Sequence, residues 1–91
     1  MNPKKHSYKD LIVWQKGIEL SISVYKLTEQ FPSSEKFGLT SQMCRAAISI
    51  PSNIAEGSAR STPKDFVNFL HIALGSATEL ETQIEISKLL P

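Results

Sequence analysis

Leu11, Trp14, Ile18, Ile22 and Tyr25 recur at intervals of three and four residues, the period of one face of an α-helix. Val13, Leu20, Val24 and Leu27 recur at helical intervals too, and a projection at about 100° per residue sets them nearly opposite the first series. No proline falls between Tyr8 and Gln30, and a single Gly17 is tolerable inside a helix. Residues 8–30 therefore read as one helix that is apolar on two sides. One stripe needs one neighbour; two stripes need a core on one side and another element on the other. That element is a further helix of the same bundle or a second subunit, and Val13, Leu20, Val24 and Leu27 are the candidate subunit contact.

Two more helices follow. "FPSSEKFG", residues 31–38, is a polar break bracketed by Pro32 and Gly38, and its Phe31 and Phe37 are placed to plug the end of a core. Met43, Ala47, Ile50 and Ile54 then line one face of a second helix over residues 39–58, with Gly57 as its expected C-terminal stop. "STPKD", residues 61–65, is a helix start: Thr62 is a natural N-cap, Pro63 suits the first helical position and Asp65 sits where a capping acid belongs. A third helix over residues 63–90 carries the stripe Phe66, Phe69, Leu70, Ala73, Ala77, Leu80 and Ile84, with Gly75 and Ser76 small enough for a close neighbour. Residues 1–7, with Lys4, Lys5 and His6, read as a loose basic arm. Ninety-one residues make a single domain. The expected fold is an all-α, antiparallel up-down bundle with three long helices, whose surplus apolar surface implies a missing fourth element or an oligomer interface. A chain this short buries only roughly 60–65% of its unfolded surface, so a partner that covers surplus apolar area has much to contribute.

The chemistry-bearing residues are few. The one cysteine, Cys44, excludes an internal disulfide and fits a reducing cytoplasm. No run of eighteen apolar residues exists, so no membrane span is expected. Only His6 and His71 are histidines; His6 lies in the arm and His71 off the apolar stripe of the third helix. There is no HExxH, no paired Cys/His spacing and no Glu-x-x-His, so no metal or cofactor is expected. "AEGSAR" lacks the glycines and the Lys-Ser/Thr of a phosphate loop. These absences lead to the expectation of a protein that is not an enzyme and takes no small-molecule substrate. Charge is uneven: residues 1–64 hold nine Lys/Arg against five Asp/Glu (+4), and residues 65–91 one Lys against four acids (−3), for a net charge of +1. Opposite ends can attract between subunits. Nucleic acid would be met by Lys16, Arg45, Arg60 and Lys64, and only an oligomer that clusters them gives a strong field.

"RAAISIPSNIAEGSAR", residues 45–60, places Pro51 inside the second helix. Its ring crowds the Ala47 carbonyl and it offers no N–H, so a kink is expected. Arg45, Ser49, Asn53 and Glu56 surround it. Asn53 is expected to answer the freed carbonyls, and Glu56 to pair with Arg45 or to cap the third helix. With Pro51 and Gly57 these residues form a structural motif rather than a catalytic loop.

The combination Trp14-Gln15, Gln42, Arg45-Ala46-Ala47, Ser49-Ile50, Asn53 to Gly57, Gly75-Ser76 and Glu79-Leu80, in that order over residues 8–90, resembles the bacterial 23S rRNA-intervening-sequence protein family. The resemblance implies a four-helix bundle that assembles into a ring-like homopentamer, with no enzymatic activity. It extends to the accessory protein of diversity-generating retroelements, and so implies a basic assembly surface as the contact for RNA, DNA or a nucleoprotein. A protein–protein adaptor without nucleic-acid contact is the alternative. Cys44 stands where the family usually carries a basic residue, and the chain stops where the family turns into its fourth helix.

Overall fold

The computed structural model describes residues 7–91, so Lys4, Lys5 and His6 of the expected arm lie outside the described residues. The described residues form three α-helices and two short 3-10 turns, with no strand: α1 (Ile12–Thr28), α2 (Leu39–Ser58) and α3 (Pro63–Ser87). The second helix keeps its expected bounds. The first begins four residues later than its apolar pattern suggests, and the third ends before Lys88.

The late start of α1 has a local cause. Ser7 Oγ accepts from the Lys9 N–H (3.2 Å) and the Asp10 carboxylate accepts from the Ser7 N–H (3.2 Å), which closes a separate 3-10 turn over Tyr8–Asp10. Such side-chain bonds offer the backbone an alternative to the helix. Leu11 then turns extended, with φ −72° and ψ 125°, and α1 starts after it. At the start of α3 the Thr62 hydroxyl accepts from the Asp65 N–H (3.1 Å), with Pro63 at the first helical position, as the sequence implies.

α2 runs through Pro51 without a break. Proline has no N–H, so the Ala47 carbonyl loses its helical donor. Its replacement comes from α1: the buried Ser21 hydroxyl is shared between the Gly17 carbonyl (2.9 Å) and the Ala47 carbonyl (3.1 Å). Asn53 does not serve this carbonyl; its amide donates one turn back, to the Ser49 carbonyl (2.8 Å) and hydroxyl (2.9 Å). Beside Ser21, Gly17 lies against the proline ring so closely that a Cβ there would be 3.1 Å from Pro51 Cβ. The α1–α2 seam is thus built on the proline.

Gly17 opposite Pro51, Ser21 opposite Ala47 and Thr28 opposite Cys44 show α1 and α2 running antiparallel. Gly57 against Phe66 and Phe69, and Ser49 against Ser76, show the same of α2 and α3. α2 packs on both neighbours, whereas α1 and α3 make no close backbone approach to each other. The result is an up-down-up layer with α2 in the middle, 53 × 23 × 18 Å in extent. Its core is Val24, Met43, Ala46, Ala47, Ile50, Ile54, Ala73 and Leu80, joined by Cys44.

Gly57 is a packing residue, not a helix stop: α2 continues to Ser58, and a Cβ at 57 would meet Phe69 Cβ at 2.6 Å. Phe31 packs on the core as expected, but Phe37 projects into solvent with 90% of its surface exposed. Of the small residues on α3, Ala73 is buried and Ser76 is bonded to α2, while Gly75 faces open space.

The two stripes of α1 flank the core rather than oppose each other across it. The buried face lies between them and is made of Gly17, Ser21, Val24 and Thr28. Val24 (3% exposed) therefore belongs to the core, not to an outward contact. Val13 (51%), Leu20 (36%) and Leu27 (38%) stay outside on one flank, and Ile22 (53%) and Tyr25 (48%) on the other. Small residues bring α1 close to α2, and that closeness leaves the large side chains beside the seam instead of in it.

Candidate functional site

Arg45, Ser49, Asn53 and Glu56 are spaced by four, four and three on α2, which puts them on one side of the helix. That side meets Ser76 and Glu79 of α3. The Ser49 and Ser76 hydroxyls share a hydrogen bond of 2.8 Å, which Asn53 extends through Ser49 Oγ. One turn toward the C-terminus of α3, the Gln83 amide donates to a Glu79 carboxylate oxygen (3.2 Å). Gln83 is 5% exposed, and its Oε1 is buried with no hydrogen-bond partner. Phe37, Gln42, Arg45, Ser49, Ser76 and Glu79 line the open part of this seam as a polar groove. Two sequence stretches about thirty residues apart thus supply one polar surface, and α2–α3 packing joins them.

Glu56 takes neither expected partner. Its carboxylate accepts from Arg60 Nη2 at 2.7 Å, one turn along, and the Arg60 guanidinium lies 4.9 Å from the centre of the Phe69 ring. Both charged side chains are about half exposed, so the pair contributes modestly to stability. Arg60 is also less free to meet an anion than its sequence position suggests. With the Thr62 hydroxyl already on the Asp65 N–H, the start of α3 is largely satisfied by the chain itself.

A second cleft opens between α1 and the N-terminal half of α2, lined by Tyr25, Lys36, Phe37, Ser41, Cys44, Arg45 and Ile48. Its walls are mostly apolar, and no acidic side chain lines it. The Lys36 ammonium lies 5.7 Å from the centre of the Phe37 ring. Arg45 stands between the cleft and the polar groove and makes no ion pair among the described residues. Cys44 is buried, with its sulfur 3.7 Å from Thr28 Oγ1. Further along the same side, Trp14 and Ile18 face Ile48, Ser52 and Ala55, and the Tyr8 ring meets Trp14 edge-on at 5.3 Å.

The four candidate cations do not converge in one chain. Lys16 sits on exposed α1, 3.5 Å from Glu19. Arg60 lies in the α2–α3 turn and Lys64 in the first turn of α3, and Arg45 lies roughly 20 Å along α2 from them. His71 is exposed on α3. Among the described residues no group of three His, Cys, Asp or Glu side chains comes together, and no helix is long and apolar enough to cross a membrane.

Sequence reasoning passed over Ser21 and Gln83. Ser21 had a signal: a proline inside a helix frees the carbonyl four residues back, and a hydroxyl on the adjacent buried face is its natural donor. Gln83 had none, because a polar residue on the margin of a stripe reads as exposed. A family model described as 23S rRNA-intervening sequence protein matches residues 9–90. No curated protein matches the chain.

Proposed function

The chain belongs to the 23S rRNA-intervening sequence protein family, and from that premise we propose that it is a non-catalytic helical scaffold that works as a homo-oligomer in the cytoplasm. The observation that carries the proposal is the apolar surface left uncovered on both flanks of α1. Val13, Leu20 and Leu27 on one side, and Ile22 and Tyr25 on the other, all stay exposed although α1 is packed. Surface of this kind on adjacent turns marks an interaction face. α1 and α3 are held apart by α2, as two diagonal members of a four-helix bundle are. On this reading a further helix closes the side between α1 and α3, and neighbouring copies cover the remaining flank in a ring of five.

Nucleic acid or a nucleoprotein is the proposed partner of the assembly rather than of the single chain. Lys16, Arg45 and Lys64 are exposed but dispersed, and the net charge is +1. Only repetition around a ring would multiply them into a phosphate-binding surface. A protein-binding scaffold without such contact is the second reading, and the pairing of Arg60 with Glu56 favours it.

Light scattering at micromolar concentration tests the scaffold directly. The expected result is a multimer for the native chain, and a folded species of lower mass for Val13→Glu with Leu20→Glu. Val24→Glu, which puts a charge into the core, should instead unfold the chain. A native chain that stays monomeric overturns the proposal. A mobility-shift titration against structured RNA decides the partner: binding that weakens steeply with salt supports phosphate contact, and no binding leaves the adaptor reading.

A further inference from the structure

The cleft lined by Tyr25, Lys36, Phe37, Arg45 and Ile48 combines features that call for a specific occupant. Phe37 is 90% exposed, Tyr25 48% and Ile48 42%, so three large apolar groups stand together in water. Two cations rim them, and no carboxylate lines the cleft. An occupant that fits is apolar with negative charge alongside.

The same chain carries such a surface. Leu74, Glu81, Glu85 and Leu89 follow one another by seven, four and four, and share one solvent face of α3 and the turn after it. Leu74 is 63% exposed and Leu89 84%. Glu81 makes no ion pair among the described residues; Glu85 meets Lys88 at 2.6 Å, but both side chains are 65% exposed and water competes for that pair. Lys88 is the only cation between residues 65 and 91, against four acids.

We propose that the cleft receives the Leu74–Glu81–Glu85–Leu89 face of α3 from a second copy of the chain, with Lys36 and Arg45 meeting Glu81 and Glu85 around a shared apolar contact. This rests on the homo-oligomer reading and names the surface that builds it. The contact is heterologous: each copy offers its cleft to one neighbour and its α3 face to another. Both surfaces lie at one end of the long axis, because antiparallel packing sets Gln42 and Arg45 beside Glu79. Successive copies can therefore stay level along that axis, as a closed ring requires. The charge balance of +4 over residues 1–64 and −3 over residues 65–91 then holds neighbours together.

Charge reversal tests the pairing, read by light scattering with circular dichroism as the check on folding. Lys36→Glu with Arg45→Glu should raise the apparent dissociation constant about tenfold or more, and so should Glu81→Lys with Glu85→Lys. The chain carrying all four changes should recover the native mass, since the pairing is restored with opposite sign. Phe37→Asp should weaken assembly without unfolding, because its side chain touches little within its own chain. A native multimer that the charge reversals leave unchanged, or one that the fourfold variant fails to rebuild, overturns this contact while leaving the scaffold standing. A native monomer overturns both. Loss of RNA binding on Lys36→Glu with Arg45→Glu, with the mass unchanged, would assign the cleft to nucleic acid and overturn the contact too.

Discussion

α2 holds two neighbours by two different means. Toward α3 it offers bulk: Gly57 clears space for Phe66 and Phe69, and Ala46, Ile50 and Ile54 supply apolar surface to the shared core. Toward α1 it offers a defect. Pro51 takes away one helical hydrogen bond, and α1 is positioned by what repairs it, with Ser21 on the Ala47 carbonyl and Gly17 on the ring. The core of the first seam is a matter of volume, and there apolar changes that conserve volume are tolerated best. The second depends on a hydroxyl at one position, because a buried carbonyl without a donor costs more than a typical hydrogen bond contributes. A proline inside a helix therefore acts here as a specific address for the neighbouring helix.

The largest expected effect lies in the bulk seam. Gly57→Ala forces a Cβ to 2.6 Å from Phe69 Cβ and 3.3 Å from the Phe66 carbonyl oxygen, so α2 and α3 must move apart. Alanine is the better helix former by about 1 kcal/mol, yet overpacking of this kind outweighs that. A net loss of about 2 kcal/mol in urea unfolding is expected. A neutral result would mean that the seam is looser than its distances imply.

The defect seam gives a sharper test. Ser21→Ala should cost about 1.5 kcal/mol, because the Ala47 carbonyl is left buried without a donor. In a Pro51→Ala background the restored N–H can serve that carbonyl, and the same Ser21→Ala change should fall to about 0.5 kcal/mol. The difference, measured as a double-mutant cycle, is the energy of the repair. Equal costs in the two backgrounds would show that Ser21 acts by packing alone.

Most of the fold is legible in the sequence, and the parts that are not share a cause. The helix count, the bounds of α2, the Thr62 and Pro63 start of α3 and the α3 stripe all follow from periodicity and capping, which are local. The face of α1 is not local. Periodicity ranks residues by apolarity, so it finds Leu20 and Ile22 and passes over Gly17 and Ser21, the residues that touch α2. Helices that pack closely do so through small residues, and the pattern of large ones then marks the flanks. Gly57 misleads in the same way: its place near a helix end suggests a stop, and only Phe69 Cβ and the Phe66 ring pressed against it explain it. In the candidate site, Arg45, Ser49, Asn53 and Glu56 can be read as one face of α2, but their partners depend on which α3 turn lies opposite. Hence Ser49 meets Ser76, and Glu56 pairs with Arg60 in place of Arg45 or the start of α3.

The glycines bring the comparison to its smallest effects. A Cβ at Gly17 would lie 3.1 Å from Pro51 Cβ and 3.2 Å from Pro51 Cδ, a contact relieved by a shift of a few tenths of an ångström. Gly17→Ala should therefore cost less than Gly57→Ala, about 1 kcal/mol at most after the helix-propensity gain. At Gly75 no atom lies within 4 Å, so only the propensity gain remains and Gly75→Ala should stabilise by about 0.5–1 kcal/mol. The three substitutions are chemically identical and sit in the middle or last turn of a helix. Their order in urea midpoints, Gly75 above native, then Gly17, then Gly57, thus reads the spacing at each seam and nothing else. Were Gly75→Ala to destabilise instead, or to lower the multimer mass, that open face of α3 would have to lie against a neighbouring copy, and the surface assigned to assembly would extend beyond Leu74.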